Sequence, residues 1–128
     1  MLETPNTIAK HATKIKNIET REAFWYLVGL GTTSQKLTCK ATGSIEKKNK
    51  LDFQFRINNN YILAFIVNQA HLLFYLRKKT VLFSFEQIQL DLKEQFEIKI
   101  NSSEELTIKV KNLEQAQIVA RELLFKYF

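Results

Sequence analysis

Two short stretches near the end of the chain alternate strictly between apolar and polar residues. They are Phe96-Glu-Ile-Lys-Ile100 and Leu106-Thr-Ile-Lys-Val110, separated by the polar segment Asn101 to Glu105. Alternation of period two predicts strands with one dry and one wet face. The pair therefore reads as an antiparallel hairpin whose Phe96, Ile98, Ile100, Leu106, Ile108 and Val110 face a core. From Asn112 the period changes to that of a helix, with Leu113, Ala116, Ala120, Leu123 and Tyr127 on one face. Ile118, Phe125 and Phe128 fall off that face. A surface helix needs only one apolar stripe, so the surplus, represented by Leu124, Phe125 and Phe128, predicts a cover. That cover is either the N-terminal helical segment or a second copy of the chain, and a homodimer is the expected solution because twofold contacts commonly hide such surfaces.

The same patterning extends upstream. Thr4-Pro5 predicts a helix start, with Thr as N-cap and Pro at the first helical position. Ile8, Ala12 and Ile15 follow at helical spacing. Residues Thr20 to Val28 continue that helix or form a second one capped by Thr20, and Gly29 and Gly31 are expected to stop it. From Lys36 the pattern is of strands. Leu37, Cys39 and Ala41 alternate with polar residues, as do Leu51, Phe53, Phe55 and Ile57 beyond Gly43-Ser44 and the Lys47-Lys48-Asn49-Lys50 tip. Asn58-Asn59-Asn60 reads as a turn. Tyr61 to Val67 is a continuous apolar run, predicting a central strand covered on both faces, and Leu72 to Leu76 returns beside it. Residues 81–92 read as strand, although Ser84 with Gln87 equally forms a capping box. The prediction is one α+β domain over 1–128: a helical segment (1–30), an antiparallel meander of about six or seven strands (36–111), and a helix (112–128) packed on the sheet.

Composition narrows the class without changing this picture. With 128 residues the chain is long enough for one real core, and 45% apolar with 25% charged residues is ordinary globular usage. The net charge of +6 and the isoelectric point near 9.5 suit an anionic partner. Its excess lies in residues 1–64, where Lys10, Lys14, Lys16, Arg21, Lys36, Lys40, Lys47, Lys48, Lys50 and Arg56 face only Glu3, Glu19, Glu22, Glu46 and Asp52. The preponderance of Lys over Arg fits a solubilising face as well, since Arg is the usual fork for bases and phosphates. A single cysteine excludes an internal disulfide and the usual multi-cysteine zinc site, and suits a reducing, cytoplasmic setting. The opening Met-Leu-Glu-Thr-Pro-Asn is unlike a signal peptide, and the apolar run from Tyr61 to Val67 is far shorter than the roughly 20 residues of a membrane span.

Candidate chemistry is sparse. His11 and His71 lack metal-ligand spacing, and Cys39 reads as a small buried hydrophobe on a strand face. No phosphate-binding glycine loop is present, so no cofactor is expected. Glu97-Ile98-Lys99 with Asp91 upstream resembles the acid-x-Lys core of restriction-type nucleases, in which carboxylates hold Mg²⁺ and Lys orients water. The plainer reading is the wet face of an alternating strand, and the surrounding α/β order of such enzymes is missing. The basic elements are more substantial. Lys47, Lys48 and Lys50 crowd a hairpin tip, Arg56 follows on the same hairpin, Lys36 and Lys40 lie on the preceding strand, and Arg77, Lys78 and Lys79 end another. Brought together, they would bind phosphate, with Phe53, Phe55, Tyr61 or Tyr75 as stacking partners. The competing reading makes the aromatics core and the lysines guards against strand-edge pairing, and for the aromatics it is the favoured one.

Leu72-Leu-Phe-Tyr-Leu-Arg-Lys78, followed by the run into Lys111-Asn-Leu-Glu-Gln-Ala116 and a helix, resembles a small uncharacterised domain found alone, in predicted transport proteins and beside endonuclease-like domains. The likeness covers the second half of the chain. It implies an antiparallel sheet closed by a C-terminal helix and no catalytic residues, and the Lys-rich hairpin departs from it. The order of elements is also similar to the pleckstrin-homology architecture, a meander barrel plugged by a C-terminal helix with a basic hairpin tip. The helix here lacks that family's Trp, because the one Trp is Trp25. The expected function is a non-enzymatic accessory domain that binds a nucleic-acid backbone or another anionic surface through the basic hairpin. The alternative is a protein-interaction module (an inhibitor, immunity or assembly protein) with no nucleic-acid role. Expected partners are nucleic acid or an acidic protein, with no membrane span.

Overall fold

In the computed structural model, which describes residues 5–33, 35–42, 52–57, 60–77, 84–101 and 104–125, a single antiparallel sheet carries every helix on one face. Helices α1 (Pro5–Ala12) and α2 (Ile18–Thr33) precede strands β1 (Leu37–Thr42), β2 (Asp52–Ile57), β3 (Asn60–Val67) and β4 (Leu72–Arg77). Helix α3 (Phe85–Leu92), strands β5 (Ile98–Ile100) and β6 (Glu105–Val110) and helix α4 (Leu113–Val119) complete the order, and α4 runs on as a π-helical turn, Ala120–Leu124. The six strands lie in the order β1-β2-β3-β4-β6-β5, all pairs antiparallel. This is the expected α+β class, but not a simple meander. The segment containing α3 skips one place, so β5 returns at the far edge and β6 fills the gap beside β4. Among the described residues β1 and β5 are the edges and do not pair with each other, unlike the strands of the closed barrel in the pleckstrin-homology comparison.

The inner face follows from strand parity. Leu37 and Cys39 on β1, Phe53 and Phe55 on β2, Leu63, Phe65 and Val67 on β3, Leu72, Phe74 and Leu76 on β4, and Leu106, Ile108 and Val110 on β6 all join one buried core. Register places Phe53 opposite Phe65 and Phe65 opposite Phe74, so three rings form a stacked row with centroids 5.4 and 5.2 Å apart. Phe24 of α2 meets that row edge-on, 5.3 Å from Phe53. Offset and edge-on ring pairs add about 0.5–1.5 kcal/mol each beyond the area they bury. Two of the sequence candidates for chemistry belong to this core: Cys39 is fully buried, and His11 lies buried with its ring 4.5 Å from Phe53.

Helix boundaries depart from the sequence reading in three places. The cap of α2 is Asn17, whose Oδ1 accepts from the Thr20 amide at 3.0 Å. Thr20 itself is buried and donates its hydroxyl to the Lys111 carbonyl at 2.8 Å, tying α2 to the junction of β6 and α4. Second, α2 continues through Gly29 and Gly31 to Thr33. A helical Gly costs only about 1 kcal/mol against Ala, and burial of Ala23, Phe24, Leu27 and Val28 outweighs it. Third, 85–92 is helix and not strand. Ser84 caps it, its Oγ accepting from the Gln87 amide at 3.1 Å, while Phe85, Ile88 and Leu92 turn inward and Leu90 is 63% exposed.

The closing hairpin is half as predicted. Leu106, Ile108 and Val110 are fully buried, but β5 is an edge strand of three residues where Ile98 is partly covered and Ile100 is 44% exposed. Phe96 is buried from the turn before β5. On α4 and its π-turn the apolar stripe is Ala116, Val119, Ala120, Leu123 and Leu124, all buried. That is the ordinary i, i+3, i+4, i+7, i+8 pattern, and α2 packs against it.

Candidate functional site: the open sheet face

The opposite face of the sheet carries no helix among the described residues. Its side chains are Thr38 and Lys40 on β1, Gln54 and Arg56 on β2, Tyr61, Ala64 and Ile66 on β3, Leu73, Tyr75 and Arg77 on β4, Lys99 on β5, and Glu105, Thr107 and Lys109 on β6. All except the small Ala64 retain exposure to solvent. A face buried beneath a second layer would carry apolar residues throughout, as the inner one does. This one mixes cations, a carboxylate, an amide, hydroxyls and two tyrosines with the apolar Ala64, Ile66 and Leu73.

Register defines rows across it. In the middle row Lys40 pairs with Gln54, Gln54 with Ala64, Ala64 with Tyr75, Tyr75 with Thr107, and Thr107 with Lys99. A lysine thus stands at each edge, with an aromatic ring beside a small residue in the centre. At a strand spacing of about 4.8 Å the row runs about 24 Å from edge to edge. A second row holds Thr38, Arg56 and Tyr61, and continues on the other side through Arg77 and Glu105. The third runs from Thr42 through Asp52, Ile66 and Leu73 to Lys109.

Tyr61 stands on this face because β3 contains a bulge. Phe55 pairs with Leu63 but Arg56 pairs with Tyr61, so Ile62 is the extra residue of the β3 strand. Strict alternation from Leu63 and Phe65 would turn Tyr61 inward. The extra residue reverses that parity, sends Ile62 to the core, and re-aims Tyr61 outward. There its hydroxyl donates to the Tyr75 carbonyl at 3.1 Å, its ring lies 6.3 Å from the Tyr75 ring at 26°, and the Arg77 guanidinium sits over it, 5.5 Å from the centroid. Arg56 is held alongside by hydrogen bonds to Gln54 Oε1.

At the β5–β6 end, Glu97 Oε2 and Oε1 receive Lys109 and Lys111, each at 3.2 Å. The Lys111 and Lys109 ammonium groups hold the Glu97 carboxyl below its ordinary value. His71 is nearby and is pushed below the ordinary histidine value, first by burial and then by Lys109 and Lys111, against the pull of Glu97. Glu97 is engaged by two lysines, and Asp91 on α3 instead accepts from Gln87 Nε2 at 2.9 Å. Among the described residues, no three His, Cys, Asp or Glu side chains gather in a way that would hold a metal ion, and no helix is long and apolar enough to cross a membrane.

Of the basic residues singled out by sequence, Lys40, Arg56 and Arg77 meet on the open face, and Lys36 is exposed one residue before β1. Lys47, Lys48, Lys50, Lys78 and Lys79 lie outside the described residues. Sequence reasoning missed Lys99, Lys109 and Lys111 as part of the same surface. Strand parity offered the signal for them, but their adjacency depends on the strand order. The preference for buried aromatics holds for Phe53 and Phe55, which are fully buried, and fails for Tyr61 and Tyr75, which are partly exposed. Of the residues expected at a dimer contact, Leu124 is corrected: it is fully buried in the chain's own core, in the stripe that α2 covers. Phe125 is 43% exposed, and Phe128 lies outside the described residues. No family model matches the chain, nor does any curated protein or solved structure to which it was compared.

Proposed function

We propose that this domain is a non-enzymatic nucleic-acid-binding module, and that its binding surface is the open sheet face rather than the lysine-rich hairpin alone. The observation that supports this reading is the distribution of charge. Lys40, Arg56, Arg77, Lys99, Lys109 and Lys111 span the face from edge to edge, against Glu105, Glu97, which two of those lysines already engage, and Asp52, which the register places opposite Ile66. Phosphate neutralisation by such a row releases counterions, so affinity falls steeply with salt. The test is the salt dependence of binding to a generic single-stranded oligonucleotide, for the wild type and for a Lys40→Gln, Arg56→Gln, Lys99→Gln triple variant. Each phosphate that the protein no longer neutralises lowers the log–log salt slope by roughly 0.7 for a single strand, so the variant's slope should fall by about 2. No binding by the wild type at about 50 mM salt, or an unchanged slope in the variant, would refute the reading.

A second reading, a protein-interaction module, draws on α2. Ile18 and Trp25 are 70% and 47% exposed there, and Trp25 lines a shallow groove with Ala12, Thr13 and Arg21. Trp25→Ser separates the two: it leaves nucleic-acid affinity unchanged under the first reading and removes the anchor of a protein contact under the second.

A further inference from the structure

We propose that Tyr61, Tyr75 and Arg77 form a base-stacking platform, and that the open face consequently selects single-stranded nucleic acid over duplex. This rests on the reading of the face as a nucleic-acid surface and specifies its ligand. Cations alone attract any polyanion. The tyrosines add a feature that only unpaired bases can use, because every base presents a π-face once it leaves a duplex.

Three observations carry the proposal. The bulge at Ile62 interrupts the ladder and brings Tyr61 outward, where an unbulged strand would have buried it. The ring is then fixed in place by its hydroxyl on the Tyr75 carbonyl and by Arg77 over its face, so little freedom remains to be lost when a base docks. Arg77 adds a planar cation, which stacks on bases as well as pairing with phosphate. Finally, the platform lies within the basic rows. Arg56 is paired directly with Tyr61, and Tyr75 occupies the row that ends in Lys40 and Lys99. A single strand crossing the sheet along that row meets cations at both edges and aromatic rings between them. A duplex, its bases paired inward, reaches only the cations.

The test compares three ligands at about 50 mM salt: a single-stranded oligonucleotide of about ten nucleotides, the same sequence as a duplex, and heparin, a polyanion without bases. The expected order has the single strand bound most tightly. Tyr61→Leu and Tyr75→Leu, which keep apolar bulk but remove the ring, should each weaken single-strand binding roughly fivefold to a hundredfold while leaving heparin binding unchanged. Tyr75→Phe, which keeps the ring, should bind nearly as the wild type does. Chemical shifts of the Tyr61 and Tyr75 ring protons in the wild type give an independent readout, since stacked bases move them and phosphate contacts alone do not. Equal affinity for all three ligands, with ring protons unmoved, overturns stacking and leaves the anion-binding face standing. Binding of none of the three overturns both.

Discussion

Thr20→Val should destabilise the fold without changing its shape. Val is nearly isosteric with Thr and has similar helix propensity, so the substitution removes one hydroxyl and little else. That hydroxyl is buried and donates to the Lys111 carbonyl at 2.8 Å, linking α2 to the point where β6 passes into α4. Its loss leaves the Lys111 carbonyl without this donor at a part-buried contact, which costs about 1–3 kcal/mol. For 128 residues, an unfolding entropy of roughly 2.1 cal/mol/K per residue converts that to a fall in Tm of about 4–11 °C. Thr20→Ser is the control, because it keeps the donor and loses a methyl group, costing about 0.8 kcal/mol for the lost burial. Thermal unfolding followed by circular dichroism measures both. A Val variant within about 0.5 kcal/mol of the wild type, the range of an ordinary surface change, would refute the claim that this bond locks the helical layer to the sheet.

Three further outcomes are expected. Ser84→Ala should cost about 1 kcal/mol in denaturant unfolding, because it removes the acceptor for the Gln87 amide at the start of α3; no change would mean that the cap does not hold the helix. Phe125→Asp should remain folded, since the ring is already 43% exposed, and sedimentation tests the homodimer: a wild-type dimer that the variant breaks supports it, a wild-type monomer at high concentration removes it. Stability should decline with acid in a manner that depends on His71. Its folded value lies below 6.5, so the unfolded chain takes up the proton first. Its contribution is therefore full above about 6.5 and is lost as pH falls towards the lower folded value. Glu97, held below 4.5, acts in the same direction only at lower pH. His71→Gln should flatten the decline just below neutrality in Tm-against-pH curves, and a curve unchanged by the substitution would refute the assignment.

Much of the fold is legible in the sequence because binary patterning and burial coincide. Leu106, Ile108 and Val110 alternate in sequence and are all fully buried, as are Leu37 with Cys39 and Phe53 with Phe55. Residues 85–92 mislead because Ile88, Leu90 and Leu92 fit period two as well as a helix. The capping pair decides the matter locally, and exposed Leu90 shows which period holds. The predicted stripe on the last helix shares Ala116, Ala120 and Leu123 with the buried one but omits Val119 and Leu124, so Leu124 counts there as surplus when it belongs to the buried set. The site is less legible than the fold. Lys40, Arg56 and Arg77 can be named from charge alone. That they share a face with Lys99 and Lys109 depends on β6 inserting between β4 and β5, a long-range pairing that no local pattern encodes. The outward Tyr61 depends on a one-residue bulge, which is invisible inside a run that is apolar at every position from Ile62 to Val67.

The central claim is that nucleic acid lies across the helix-free face of the sheet. Amide chemical-shift mapping during titration with a single-stranded oligonucleotide tests it most directly. Shifts should concentrate on Lys40, Gln54, Arg56, Tyr61, Tyr75, Thr107 and Lys99, strand after strand across the rows, while α2 and α4 on the other side stay unmoved. Shifts confined to α2 and α4, or none on the strands at saturating oligonucleotide, would contradict it.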